Sequence, residues 1–183
     1  RAQLIKESHD SSDPLEGRAQ TIEMSAALCA ASMLRFIAEQ LPKLPPCITA
    51  RLLDQYDVLM LLAPLIERKP WERREGGEMH RFVQNQWVRV GEGEKRRMAK
   101  CEAQCWLAVY ALLAEPELRR KYQFNAFRKN VLMKLRGELN ERVVDQIPLL
   151  SELQVLRSHN LSPRSHHPFP PKTQQAPRPP PLL

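Results

Sequence analysis

PWERREGGEMHRFVQNQWVRV, Pro70 to Val90, is where the chain stops reading as helix. Met79, Arg81 and Val83 alternate onto one side of an extended chain, and beyond the polar QNQ turn Trp87 and Arg89 alternate against Val88 and Val90. Period-two alternation on both sides of a short polar turn predicts a hairpin near residues 79–90. Ahead of it, Pro70 is expected to stop the preceding helix and Trp71 to anchor the turn in the core. Gly76 and Gly77 would supply the backbone freedom to enter the hairpin.

Around this insertion the spacing is helical. Residues 1–17, RAQLIKESHDSSDPLEG, are polar and rich in turn formers, which predicts a flexible lead-in. From Arg18 to Leu41, the residues Ile22, Ala26, Cys29, Met33, Phe36 and Ile37 recur mostly three and four apart, predicting one helix with that face inward. Pro42, Pro45 and Pro46 then end it. A second helix is expected over 48–55. A third follows Asp57, whose carboxylate would accept from free backbone N–H groups as an N-cap, and Pro64 is expected to kink or interrupt it.

Helical spacing resumes from Glu94 to Ala114, with Met98, Cys101, Cys105, Val109 and Leu112 as the buried stripe. Pro116 can open the next segment, which carries Leu118, Tyr122, Phe124, Phe127, Val131, Met133 and Leu135 and predicts two helices broken near Gln123 to Asn125. Short helices are expected over 138–146 and 148–159. Beyond Leu161 the stretch SPRSHHPFPPKTQQAPRPPPLL holds eight of the sixteen prolines, so residues 162–183 are expected to be a disordered tail leaning toward polyproline II. The predicted class is all-α: an armadillo-like stack of short amphipathic helices over 18–161 with one small inserted β-hairpin. Many short helices favour a stack over a four-helix bundle.

The composition excludes several chemistries. With 183 residues and 43% hydrophobic content, one main domain is expected. The chain begins at Arg1 rather than Met, which suggests a piece of a longer protein. The apolar run Val58 to Ile66 is far short of the roughly 20 residues that cross a bilayer, so no membrane span is expected. Four cysteines without a secretion signal fit a reducing, intracellular compartment. Cys101 and Cys105 lie one helical turn apart, but no further pair completes a zinc site, and both fall in an apolar stripe. His166 and His167 fall in the tail. No metal site, no cofactor and no catalytic residue is expected: the chain has no GxSxG turn, and its paired glycines precede neither Lys-Ser nor Lys-Thr.

Charge is uneven. Residues 94–142 hold twelve Lys/Arg against six Asp/Glu, within a net charge of +7. RRKYQFNAFRKN interleaves cations with aromatics as single-strand binders do, although Tyr122, Phe124 and Phe127 are needed for the core. Pro177 to Pro180 matches PxxP, a pattern common by chance in such tails.

PWERREGG, FVQNQWVRV, CWLAVYALL and LMKLRGELNERVVDQIPLLSELQVLRSHNL together resemble the zinc finger MYND domain-containing protein 10 family. The resemblance runs from about Met24 to about Leu161. It implies a non-enzymatic co-chaperone or scaffold for the preassembly of inner and outer axonemal dynein arms. The expected location is the cytoplasm, at centrosomes or centriolar satellites and in the apical cytoplasm of ciliated cells. Implied partners are assembly factors including a leucine-rich-repeat protein, heat-shock chaperones, a prolyl isomerase, and dynein intermediate and heavy chains. The family's C-terminal MYND finger, which binds zinc, has no counterpart in this sequence, so no zinc ligand is carried over.

Arg73, Arg74 and Glu75 cannot all be buried and are the candidates for partner docking. The alternative is that Arg73 or Arg74 pairs with a neighbouring carboxylate and holds the loop's shape. A different function remains compatible with the charge: a regulatory protein that binds nucleic acid or transcription factors through its basic helices.

Overall fold

A computed structural model describes residues 14–153. The tail 162–183, with His166, His167 and the PxxP match, lies outside the described residues. The elements are α1 (Pro14–Gln40), α2 (Pro46–Ala50) running on into a π-helical turn (Arg51–Gln55), and α3 (Val58–Arg68). Then come β1 (Glu72–Glu75), β2 (Glu78–Val83) and β3 (Gln86–Arg89), followed by α4 (Lys100–Ala114), α5 (Pro116–Lys121), α6 (Ala126–Glu138) and α7 (Glu141–Gln146). The class is the expected one, all-α with a small inserted sheet. The main helix–helix contacts set α1 on α4, α4 on α3 and α3 on α6, so helices distant in the chain pack together. Leu59, Leu62, Ile66, Trp71, Trp106, Val109 and Leu112 are buried in a single core.

α1 begins at Pro14, within the expected lead-in, and its face is reversed. Ile22, Met33 and Phe36 are 68%, 59% and 57% exposed, and Ala26, Cys29 and Ile37 are exposed with them. The inward residues are Ala31 and Ala38, with Met24, Leu28 and Leu34 half-buried. Both flanks of this helix are apolar, so periodicity alone could not choose. The small side chains win because they let α1 approach α4 closely, where Ala108 is fully buried.

The expected hairpin is present as β2 and β3, but a further strand precedes it. The order is β1-β2-β3, antiparallel throughout. ERRE is therefore strand, and not loop. Gly76 and Gly77, with φ of 57° and 82°, are themselves the two-residue turn joining β1 to β2. Gln84 and Asn85 form the second such turn, with φ of 49° and 64°. Positive φ at both central residues matches the right-handed twist of the strands. Trp71 is completely buried at the root of the sheet, and its carbonyl accepts from Phe82 N–H at 2.9 Å.

Other differences have local causes. α3 runs unbroken through Pro64. Burial of Leu62, Ala63 and Ile66 holds it, since each large side chain contributes about 1.5–3 kcal/mol against the roughly 3 kcal/mol an internal proline costs. α4 starts at Lys100 rather than Glu94 because Gln146 grips the preceding segment. Met98 N–H donates to Gln146 Oε1 at 2.7 Å, and Gln146 Nε2 donates to the Arg96 carbonyl at 3.2 Å. Asp57 does precede α3, but its side chain makes no cap; it reaches Tyr122 and Arg128 instead. That ion pair sets the rotation of α6, so Leu135 is buried while Phe127, expected inside, is 67% exposed and Met133 51%. Of the helix expected over 148–159, Pro148–Leu150 is a 3-10 turn, residues 151–153 are helical, and the remainder lies outside the described residues.

Truncating Trp71 to Ala should cost about 3–5 kcal/mol, read as a lowered midpoint in urea unfolding, because a fully buried indole leaves a cavity the surrounding helices cannot close.

Candidate docking surface

β1 is an edge strand, so Arg73, Arg74 and Glu75 are displayed on the rim of the sheet. Successive side chains of a strand point to opposite faces, which separates Arg73 from Arg74. Arg73 faces His80 and Arg89 across the ladder, while Arg74 faces Met79. The Arg73 guanidinium lies 2.9 Å from the Glu75 carboxylate and 4.4 Å from the centroid of the Trp87 ring. Arg73 therefore stiffens the sheet. Arg74 is exposed and makes no ion pair among the described residues.

Opposite-charge pairs hold the strands in register. Arg81 donates from Nε and Nη2 to Glu72 Oε1 at 3.0 and 2.6 Å, and from Nη2 to the Arg97 carbonyl at 3.0 Å. The latter bond ties β2 to the basic connection before α4. Arg89 pairs with Glu78 at 2.9 Å, relieving the Glu75–Glu78 juxtaposition across the glycine turn. Edge-on packing of Phe82 against Trp87, with centroids 5.3 Å apart, completes one face.

A cleft of about 740 Å³ opens between α1, the β2–β3 hairpin and the start of α4. Leu28, Phe36, Val88 and Met98 give it an apolar floor, and Arg97 and Lys100 a basic rim. Ser25 Oγ donates to Asn85 Oδ1 at 2.7 Å and pins the hairpin turn to α1.

The cation and aromatic run folds away from a stacking platform. Tyr122 is buried; its hydroxyl donates to Asp57 Oδ1 at 2.5 Å, and Arg128 Nε donates to Asp57 Oδ2 at 2.7 Å. Phe124 packs edge-on to Tyr122 at 5.0 Å. Burial, and then the hydrogen bond to Asp57, pushes the Tyr122 phenol well above its ordinary range. Of the three aromatics, Phe127 alone is exposed.

Among the described residues, no group of three or more His, Cys, Asp or Glu side chains is placed to hold a metal ion. Burial pushes the Cys101 thiol up to about 11 and the Cys105 thiol up to about 12. Such thiols stay protonated and act as small hydrophobes. By length and composition alone Leu15–Lys43 could cross a membrane, yet one flank of α1 packs on α4.

Reading the sequence missed Glu102, a carboxylate only 1% exposed, 3.1 Å from Lys69 Nζ and 4.0 Å from Arg142. The signal was available: Met98, Glu102, Cys105, Val109 and Leu112 continue the helical spacing, and polarity hid the member that was buried.

The raised thiols set an alkaline limit. Unfolded thiols lose their protons near pH 9 and the folded ones only near 11 to 12, so the stability they contribute is complete below pH 9 and falls as pH rises through that window. Urea unfolding from about pH 8 to about pH 11 should show a loss of up to about 1.4 kcal/mol per pH unit per thiol. Cys101→Ser with Cys105→Ala should remove the part that sets in near pH 9, leaving the loss above about pH 10 that belongs to the raised Tyr122 phenol.

No protein-family profile matches the chain, and no solved structure matches it. A zinc finger MYND domain-containing protein 10 homolog from Drosophila melanogaster is 34% identical over 127 residues, 69% of this chain. Those residues are 28% of the relative, so the chain spans well under half of that protein's length. Over this helical region, the chain belongs to the zinc finger MYND domain-containing protein 10 family.

Proposed function

We propose that the chain is a non-enzymatic scaffold or co-chaperone in the cytoplasmic preassembly of inner and outer axonemal dynein arms. The observation that carries this reading is the family relationship, which extends over 127 residues. The resemblance of its motifs supplies the dynein-arm role. The partners proposed are assembly factors including a leucine-rich-repeat protein, heat-shock chaperones, a prolyl isomerase, and dynein intermediate and heavy chains. Work at centriolar satellites and in the apical cytoplasm of ciliated cells follows from the same reading.

Two features of the described residues support a binding role over a catalytic one. Their most buried thiols are pushed away from the nucleophilic range. Their exposed charge is mounted on a rigid, three-stranded sheet, which favours recognition because little is lost on ordering it. Nucleic acid is a poorer partner, since Tyr122 and Phe124 are turned into the protein and cannot stack on bases.

Arg74 and Arg73 are separable. Arg74→Glu should reduce capture of dynein chains and chaperones from ciliated-cell extract while leaving the melting temperature unchanged. Arg73→Glu should lower stability by about 1 kcal/mol as well, because it loses the contact over Trp87 and the pair with Glu75. Undiminished capture by Arg74→Glu would remove the sheet edge from the docking surface.

A further inference from the structure

The outward face of α1 has a stricter order than amphipathic spacing requires. Ala19, Ile22, Ala26, Cys29, Met33 and Phe36 alternate steps of three and four, and all are exposed, Cys29 and Phe36 where they also line the cleft beside the β2–β3 hairpin. That is a heptad seam with Ala19, Ala26 and Met33 at a and Ile22, Cys29 and Phe36 at d. It covers about 26 Å of helix at 1.5 Å per residue. The opposite position, f, is occupied by Met24, Ala31 and Ala38, the residues turned inward. Thus α1 uses one flank for its own fold and keeps the other in coiled-coil register.

We propose that α1 pairs with α1 of a second copy of this chain, as a parallel, in-register, two-stranded coil related by a two-fold axis. The charges beside the seam select this occupant. In such a coil, position g of one helix faces position e of the following heptad on the other. Arg18 at g then meets Glu23 at e of the second copy, twice by symmetry. Both residues are exposed and make no ion pair among the described residues. The remaining g and e positions along the seam set Ser25 against Ala30 and Ser32 against Ile37, so no like charges meet.

A lipid surface is the competing occupant, given the apolar length of Leu15–Lys43. It is disfavoured because the apolar residues are confined to a stripe, the far flank is packed on α4, and Arg18, Glu23 and Glu39 lie beside that stripe. This dimer is independent of the dynein-arm reading.

The test is sedimentation velocity on the whole chain over a hundredfold range of concentration. The account predicts a species of twice the 21.2 kDa chain mass. Met33→Lys with Phe36→Glu should leave a monomer of unchanged helix content, since both side chains are exposed. Arg18→Glu should raise the dimer dissociation constant several-fold, and adding Glu23→Arg should restore it. A monomer at every concentration overturns the proposal, as does a dimer indifferent to Met33 and Phe36 or a charge swap that fails to restore affinity. Capture of a monomeric chain by phosphatidylcholine vesicles, lost in Met33→Lys, assigns the face to lipid and overturns it equally.

Discussion

The buried carboxylate of Glu102 is the constraint around which the helices are arranged. It sits at 1% exposure on a helix whose neighbouring inward residues are Cys105, Trp106, Val109 and Leu112. Stripping a carboxylate of water costs several kcal/mol unless a cation accompanies it. Lys69 Nζ supplies one at 3.1 Å and Arg142 a second at 4.0 Å, by proximity rather than by a well-aligned hydrogen bond. Lys69 ends α3 in a left-handed conformation with φ 46°, so the residue that neutralises α4 also turns the chain into Trp71 and β1. Arg142 brings α7 to the same helix. Gln146, one turn further on, then grips the segment that leads into α4.

From that node the sheet follows. Trp71 is driven into the core beside the Lys69 turn, and β1 has to leave the body as an edge strand. Two glycines reverse it, and Arg81 bonds back to the connection before α4. What is left facing outward is a rim of mixed charge on the sheet, next to a cleft whose floor is apolar and whose edge is basic. An arrangement that binds without reorganising loses little entropy on association. Physical economy of that kind suits a scaffold, whose contacts must be ready before a client arrives.

Much of this was legible in the residues, and the failures have physical reasons. The change of period at Met79 and the polar turn before Trp87 located the hairpin. The breaks at Pro42 and Gln123, and the placing of Pro116 in a first turn, followed from backbone chemistry. ERRE was not legible as a strand, because four charged residues carry no alternation of hydrophobicity and their pairing depends on β2. The inward face of α1 was chosen by alanines that permit close approach, a property of two helices together. Asp57 occupied the predicted position but found partners 65 and 71 residues away, at Tyr122 and Arg128, which no local rule could supply. Arg73 and Arg74 were adjacent in the sequence and equal in charge; only the pleat separates the residue that braces Trp87 from the one that faces solvent.

The claim that the helical region itself carries assembly contacts is tested most directly by affinity purification. This chain and a longer member of its family would be expressed side by side in ciliated cells and their retained proteins compared by mass spectrometry. Dynein chains and chaperones retained by both is the result the account predicts. Retention by the longer protein alone would contradict it, leaving this chain a fold whose partners bind elsewhere in the family protein.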